Sequence, residues 1–259
     1  HDGEKIPISI IKRKDTPKNA PTLLYGYGSY GISISPSFSV SRLSLIDRGM
    51  VYAIAHIRGG MEKGKKWYED GKKKNKLNSF RDFISCAEFL KERDISGNIT
   101  IHGGSAGGLL IGASINISPA TFHCAVAEVP FVDVLNTILD DTLPLTPPEW
   151  EEWGNPIKNK SDFDYIGSYS PYDNIRKQNY PTILATSGLT DPRVTYWEAT
   201  KWIAKLRSKK TDNNSIFLKT YTEAGHGGMA GRYNQIKETA FIYAFILWRN
   251  NLIQKHSSS

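Results

Sequence analysis

Asn98-Ile99-Thr100-Ile101-His102-Gly103-Gly104-Ser105-Ala106-Gly107-Gly108 joins a short apolar run to a glycine-rich turn, and a helix-like stretch follows from Leu109 to Ile117. Strand, turn and helix in that order are what a nucleophile elbow requires, because the turn must carry a serine hydroxyl clear of a parallel sheet. Side chains two positions either side of the serine would collide with the backbone, and Gly103 and Gly107 remove them. An ordinary strand-to-helix turn with an exposed serine leaves the same local pattern. A phosphate loop does not fit, since no Gly-Lys-Ser/Thr follows.

Chain order sharpens the reading. In a sheet of this kind the acid and the histidine follow the nucleophile, each on a loop at the carboxyl end of a later strand. Of the six histidines, only His226 and His256 follow both Ser105 and a plausible acid, and His256 lies in a Lys-His-Ser-Ser-Ser tail of the kind expected to be disordered. His226 stands in Glu223-Ala224-Gly225-His226-Gly227-Gly228, after the strand-like Ser215 to Tyr221 and before an apolar helix expected from about Gln235 to Leu252. Asp191 follows the strand-like Pro181 to Thr186, whereas Asp212 precedes its strand, at the wrong end of the sheet. Ser105, Asp191 and His226 are therefore the candidate nucleophile, acid and base. Taken singly, His226 also reads as a loop histidine and Asp191 as a helix N-cap before Pro192.

The coarse pattern alternates throughout. Strands are expected at 8–11, 22–27, 50–57, 98–102, 125–129, 181–187 and 215–221. Helices are expected at 38–47, 79–92, from Ala106, at 132–139, at 195–206 and at the C-terminal end. That alternation predicts an α/β fold, a mostly parallel twisted sheet with helices on both faces. With 39% hydrophobic residues among 259 the chain can bury one large core, so residues 1–259 are expected to form one domain, with 253–259 as a disordered tail. No stretch approaches the roughly 18 to 20 apolar residues of a membrane span, and no basic-then-apolar secretory segment opens the chain. Cys86 and Cys124 fall in helix-like and strand-like apolar patterns and read as small core residues rather than a disulfide or metal pair. A reducing, cytoplasmic setting is the expectation.

Charge is unevenly spread. The net charge is +7, yet no Lys or Arg occurs from Asp94 to Ile157, while Asp133, Asp140, Asp141, Glu149, Glu151 and Glu152 all fall there. The densest part, Pro147-Pro148-Glu149-Trp150-Glu151-Glu152-Trp153-Gly154-Asn155-Pro156, reads as a proline-stiffened loop combining carboxylates with two indoles. Carboxylates beside aromatic faces suit a guanidinium or ammonium ligand, through charge-assisted hydrogen bonds and cation–π contact. The plainer reading is a solvated acidic loop. Conversely, seven lysines between Lys63 and Lys76 are interleaved with Trp67 and Tyr68. Nucleic-acid binding is disfavoured for them, because their spacing repeats no groove-fitting helix.

A wider set of motifs carries a resemblance: Tyr25-Gly26-Tyr27-Gly28-Ser29-Tyr30-Gly31, Ile57-Arg58-Gly59-Gly60, Trp67-Tyr68-Glu69-Asp70-Gly71, Gly103 to Gly108, Glu151-Glu152-Trp153-Gly154-Asn155-Pro156, Tyr196-Trp197-Glu198 and Gly225-His226-Gly227-Gly228. Over nearly its whole length the chain resembles the catalytic domain of the prolyl oligopeptidase family, most closely its oligopeptidase B branch. The resemblance implies an α/β-hydrolase fold and a serine oligopeptidase that cleaves short peptides after Arg or Lys through an acyl-enzyme, with no metal or organic cofactor. It implies the backbone N–H of Ala106 and the hydroxyl of Tyr27 as an oxyanion hole. It further implies Arg193 as a contact to the substrate backbone, and Glu149 with Glu151 as the pair that holds a basic side chain. Intact members also carry a seven-bladed β-propeller that limits substrate size. These residues encode none, so size gating is not expected of them. Two aspartates that favour a second basic residue in some members are Ser35 and Ser37 here, so the resemblance implies no particular dibasic preference. Post-proline cleavage and an inactive domain serving as a binding module are the alternatives. An esterase or lipase would want an acyl-chain pocket rather than carboxylates.

Overall fold

The computed structural model describes residues 1–253, so all but the first residue of the tail expected to be disordered lies outside the described residues. In chain order the elements are β1 (Ile8–Ile11), β2 (Ala20–Tyr25), α1 (Val40–Ile46), β3 (Val51–Ala55), α2 (Lys65–Glu69), α3 (Leu77–Glu92), β4 (Ser96–Gly104) and α4 (Ala106–Ile117). They continue with β5 (Cys124–Glu128), α5 (Val134–Leu139), α6 (Thr146–Trp153), α7 (Lys160–Tyr169), β6 (Thr182–Gly188), α8 (Tyr196–Lys209), β7 (Ile216–Tyr221) and α9 (Arg232–Arg249). The strands form one sheet in the order β1-β3-β2-β4-β5-β6-β7. β1 runs antiparallel to β3 and every other pairing is parallel, as the alternation of strands and helices requires.

Strand side chains alternate between the two faces, and each face has its own core. Leu24, Ala53, Ile101, Ala125 and Ile183 pack with Phe83 of α3, Leu109 of α4 and Trp202 of α8 on one side. Leu23, Tyr52, Ile54, Val126 and Leu184 pack with Leu45 of α1 and Ile246 of α9 on the other. Leu23 and Leu24 are both wholly buried although adjacent in sequence, which is why central strands of such a sheet read as continuous apolar runs. Cys86 and Cys124 are buried and unpaired, and they sit in cores on opposite faces of the sheet.

The acidic segment departs from the sequence reading. Residues 146–153 form α6, not a stiff loop, with the prolines in its first turn, where an imino nitrogen loses nothing because those amides have no intrahelical acceptor. α7, unforeseen in the sequence, starts at Asn159, whose side chain caps Ser161 N. The lysine run is likewise structural. Lys63 lies over the Trp67 ring, Lys66 pairs with Asp70, Lys72 lies over Tyr68, Lys73 pairs with Glu151 and Lys74 with Asp162. Trp67 is 4% exposed and cannot offer its face to a base.

The turn after β4 depends on absent side chains. A Cβ on Gly103 would sit 2.4 Å from the Gly107 carbonyl oxygen, and one on Gly107 would sit 3.0 Å from the Gly26 oxygen. Gly103→Ala should therefore lower stability by about 1 to 3 kcal/mol or more through backbone displacement, read as a fall in thermal midpoint together with loss of any active-serine labelling at Ser105. A Gly103→Ala protein with parental melting and labelling would show that the turn has slack.

Candidate active site

The sheet delivers four loops to one edge. Tyr27 follows β2, Ser105 follows β4, Asp191 follows β6 and His226 follows β7, all at carboxyl ends, the edge where open α/β sheets place their ligands. Ser105 adopts φ 55°, ψ −120°, a left-handed backbone that a non-glycine residue holds only when its surroundings enforce it. The enforcement is visible. Ser105 N–H donates to Glu128 O at 2.8 Å, while Ser105 O accepts from Gly108 N, Leu109 N and Phe131 N.

His226 Nε2 lies 3.0 Å from Ser105 Oγ, and His226 Nδ1 lies 2.8 Å from Asp191 Oδ2. Asp191 Oδ1 accepts from the N–H groups of Arg193 and Val194 at 2.8 and 3.0 Å. Asp191 is thus no helix cap, since α8 begins at Tyr196 with Thr195 before it; one of its oxygens holds its own loop and the other holds the histidine. Burial alone would raise the Asp191 carboxyl, but the bonds from His226, Val194 and Arg193 outweigh it and hold the group below its ordinary value. It stays an anion, fixing the ring with Nδ1 protonated and Nε2 free to accept from Ser105.

Ala106 is the first residue of α4, so its N–H has no intrahelical acceptor. Tyr27 lines the same cavity, and burial, aided by Tyr25, Glu149 and Glu152, pushes its phenol up to about 12. At neutral pH it remains a hydrogen-bond donor. The turn that carries it is held from two sides. Lys76, wholly buried, donates to Gly28 O at 2.5 Å and to Ser29 Oγ at 2.9 Å, and Glu152 Oε1 accepts from Tyr30 N at 2.8 Å. Burial lowers the Lys76 ammonium to about 8, with Glu152 opposing that fall.

A cavity of about 310 Å³ opens beside Ser105. Phe131, Ile138, Leu143 and Val194 give it apolar walls, and Glu149, Glu198, Arg193 and His226 also line it. Tyr30 Oη and Trp153 Nε1 both donate to Oε2 of Glu149, at 2.8 and 2.7 Å. Oε1 has no protein donor among the described residues.

The expected partner of Glu149 is not there. The Glu151 side chain is 88% exposed and pairs with Lys73 at 3.2 Å. Residues two apart on a helix point to different sides, so once 146–153 is helical the two glutamates cannot share a face. The anionic excursion is also less of a rim than its composition suggests, because Asp133 is buried and paired with Lys201, and Glu152 is buried beneath Tyr30 and Tyr68. Arg193 lines the cavity too. Ser35 and Ser37 are exposed, and Ser37 lines a separate groove beside β1. Sequence reasoning overlooked Tyr30 and Glu198 as cavity residues, although both lie in motifs that carry the resemblance. Their signal was a polar group just beyond a strand and an acid in the first turn of a helix.

Comparisons with known proteins agree with this geometry. The family model described as "Prolyl oligopeptidase family" matches residues 36–251. Dipeptidyl aminopeptidase BI of Pseudoxanthomonas mexicana is 48% identical over 95% of this chain and 35% of its own length, and Protease 2 of Moraxella lacunata is 48% identical over 95% and 36%. The structure of oligopeptidase B from Leishmania major superposes with a TM-score of 0.95 at 49% identity, covering 98% of this chain and 36% of that one. The chain spans about a third of the length of the curated relatives it matches. No helix among the described residues is long and apolar enough to cross a membrane. With Ser105, His226 and Asp191 joined in hydrogen-bonded order and this match over most of its length, the chain belongs to the prolyl oligopeptidase family, a family of serine-type peptidases.

Proposed function

We propose that the chain is the catalytic domain of a serine oligopeptidase that cleaves short peptides after Arg or Lys. The observation that carries this reading is the unbroken sequence Ser105 Oγ, His226, Asp191 at the mouth of a cavity whose wall holds the Glu149 carboxylate. His226 Nε2 takes the Ser105 proton as Oγ attacks the scissile carbonyl, and the new oxyanion is received by Ala106 N–H and Tyr27 Oη. His226 then returns the proton to the leaving amine, leaving an acyl-serine. Water, deprotonated by the same ring, releases the carboxylic acid and restores the serine. Arg193, on the loop of the acid, contacts the backbone of the bound peptide. A basic side chain fits the adjoining cavity because its aliphatic stem meets Phe131, Ile138 and Val194 while its head reaches the free Oε1 of Glu149. The apolar walls also favour a second reading, cleavage after proline, but a proline ring leaves Glu149 without a cation.

Ser105→Ala should reduce hydrolysis of arginyl amides on the order of a millionfold, abolish labelling by a fluorophosphonate and leave the thermal midpoint unchanged. Undiminished turnover in the folded variant would remove the mechanism, and a parent protein that takes no label would point to a binding module instead. Asp191→Asn should cost kcat about four orders of magnitude by releasing the ring from its tautomer, again with the fold intact.

Specificity gives a separate test. Glu149→Gln should weaken kcat/KM for arginyl substrates by about 2 to 5 kcal/mol with a smaller effect on alanyl ones, whereas Glu151→Gln should change neither. Best cleavage after proline in the parent, or an arginyl-to-alanyl ratio unmoved by Glu149→Gln, would leave only the general serine peptidase standing.

A further inference from the structure

Glu151 lies outside the cavity that Glu149 lines. The second carboxylate lining it is Glu198, in the first turn of α8 and 1% exposed. Its oxygens accept three protein hydrogen bonds, from Val132 N and Asp133 N on Oε2, both at 2.9 Å, and from Thr137 Oγ1 on Oε1 at 2.7 Å. Three donors converging on one carboxyl make a socket for the ionised form. A buried charge so held is poorly screened by solvent, and its field reaches across the cavity.

Taking the basic-residue reading above as given, we propose that Glu198 is the second anionic wall of the cation pocket and a determinant of selectivity for Arg and Lys side chains. Its Oε1 is held by Thr137, which also lines the cavity, so a guanidinium is drawn between Glu149 on α6 and Glu198 on α8. The charges around Glu198 do not cancel it. On its own side Asp133 adds a negative charge that Lys201 neutralises at 2.5 Å, with Lys201 also resting on the Tyr172 ring. Arg193, on the loop leading into α8, and His226 also line the cavity, as do Glu149, Tyr27 and Tyr30.

Burial, with a further push from Asp133, raises the Glu198 carboxyl to about 7 against the lowering effect of its three donors. A bound cation favours the ionised form, so capture of a basic side chain should release a proton and strengthen as pH rises.

The experiment compares kcat/KM for an arginyl amide with that for its neutral isostere, the citrullyl amide, across the neutral pH range. Dependence on Ser105 and His226 is common to both substrates and cancels in the ratio, and guanidinium stays charged throughout. The arginyl-to-citrullyl ratio should rise with a midpoint near 7, by up to about tenfold between roughly pH 6 and pH 8. Glu198→Gln should lower the ratio at high pH and flatten it, whereas Glu149→Gln should lower it and keep the rise. Thr137→Val keeps the carboxyl but removes a donor to its ionised form, so it should move the rise to higher pH; this variant decides the matter where Glu198→Gln fails to fold. A rise that survives in folded Glu198→Gln, or a strong arginyl preference with no pH dependence in the parent, would overturn the role given to Glu198. Absence of arginyl preference at every pH would instead sink the basic-residue reading on which it rests.

Discussion

One residue in left-handed backbone, Ser105 at φ 55°, is the constraint around which the rest of the chain is arranged. Such a conformation costs a non-glycine residue of the order of 1 to 3 kcal/mol, and the fold repays it with hydrogen bonds to both backbone groups of the serine. Its carbonyl gathers Gly108 and Leu109 from α4 and Phe131 from the turn after β5. That second turn is itself strained, with β-branched Val129 at φ 38° and its N–H tied to Thr186 O. β4, β5 and β6 are adjacent in the sheet, so strain at the serine is carried by the most deeply buried part of the structure.

The electrostatics follow the same economy. Four carboxylates near the serine, Asp191, Glu149, Glu152 and Glu198, each accept at least two protein hydrogen bonds. A desolvated carboxylate is tolerated when donors replace water. The donors do further work, for the same bonds tie the acid loop to His226, the Tyr27–Tyr30 turn to α6, and α8 to α5 and the turn before it. Charge for binding a cation and rigidity for positioning a hydroxyl come from one set of contacts.

The triad and the parallel sheet were legible because each is written locally. A strand followed by glycines and a serine, or by an aspartate, or by a histidine among glycines, carries its own signature, and the order of the three along the chain did the rest. Glu151 failed for an equally local reason. The resemblance paired Glu149 with Glu151 and the prolines read as a stiff loop, whereas prolines in a first helical turn are compatible with α6, and its period separates Glu149 from Glu151. Glu198 and Tyr30 were hidden differently. Their relevance depends on which elements meet across the cavity, and no spacing in the sequence encodes that Tyr30 meets α6 or that α8 meets α5. The lysine run, disfavoured from the start as a nucleic-acid track, is matched by Asp70 within the run and by Glu151 and Asp162 far along the chain.

α4 runs from Ala106 to Ile117, and its first ten residues are all buried. Peptide dipoles along such a helix place partial positive charge at its amino end, here directly beneath the serine, in a medium too apolar to dilute it. That charge belongs to the main chain. It does not titrate, it is little affected by salt, and no side-chain exchange at Ser105, Asp191 or His226 takes it away. A chain stripped of its proton-transfer machinery thus keeps a place where a developing negative oxygen is welcome. Such a remnant would polarise a scissile carbonyl without being able to attack it.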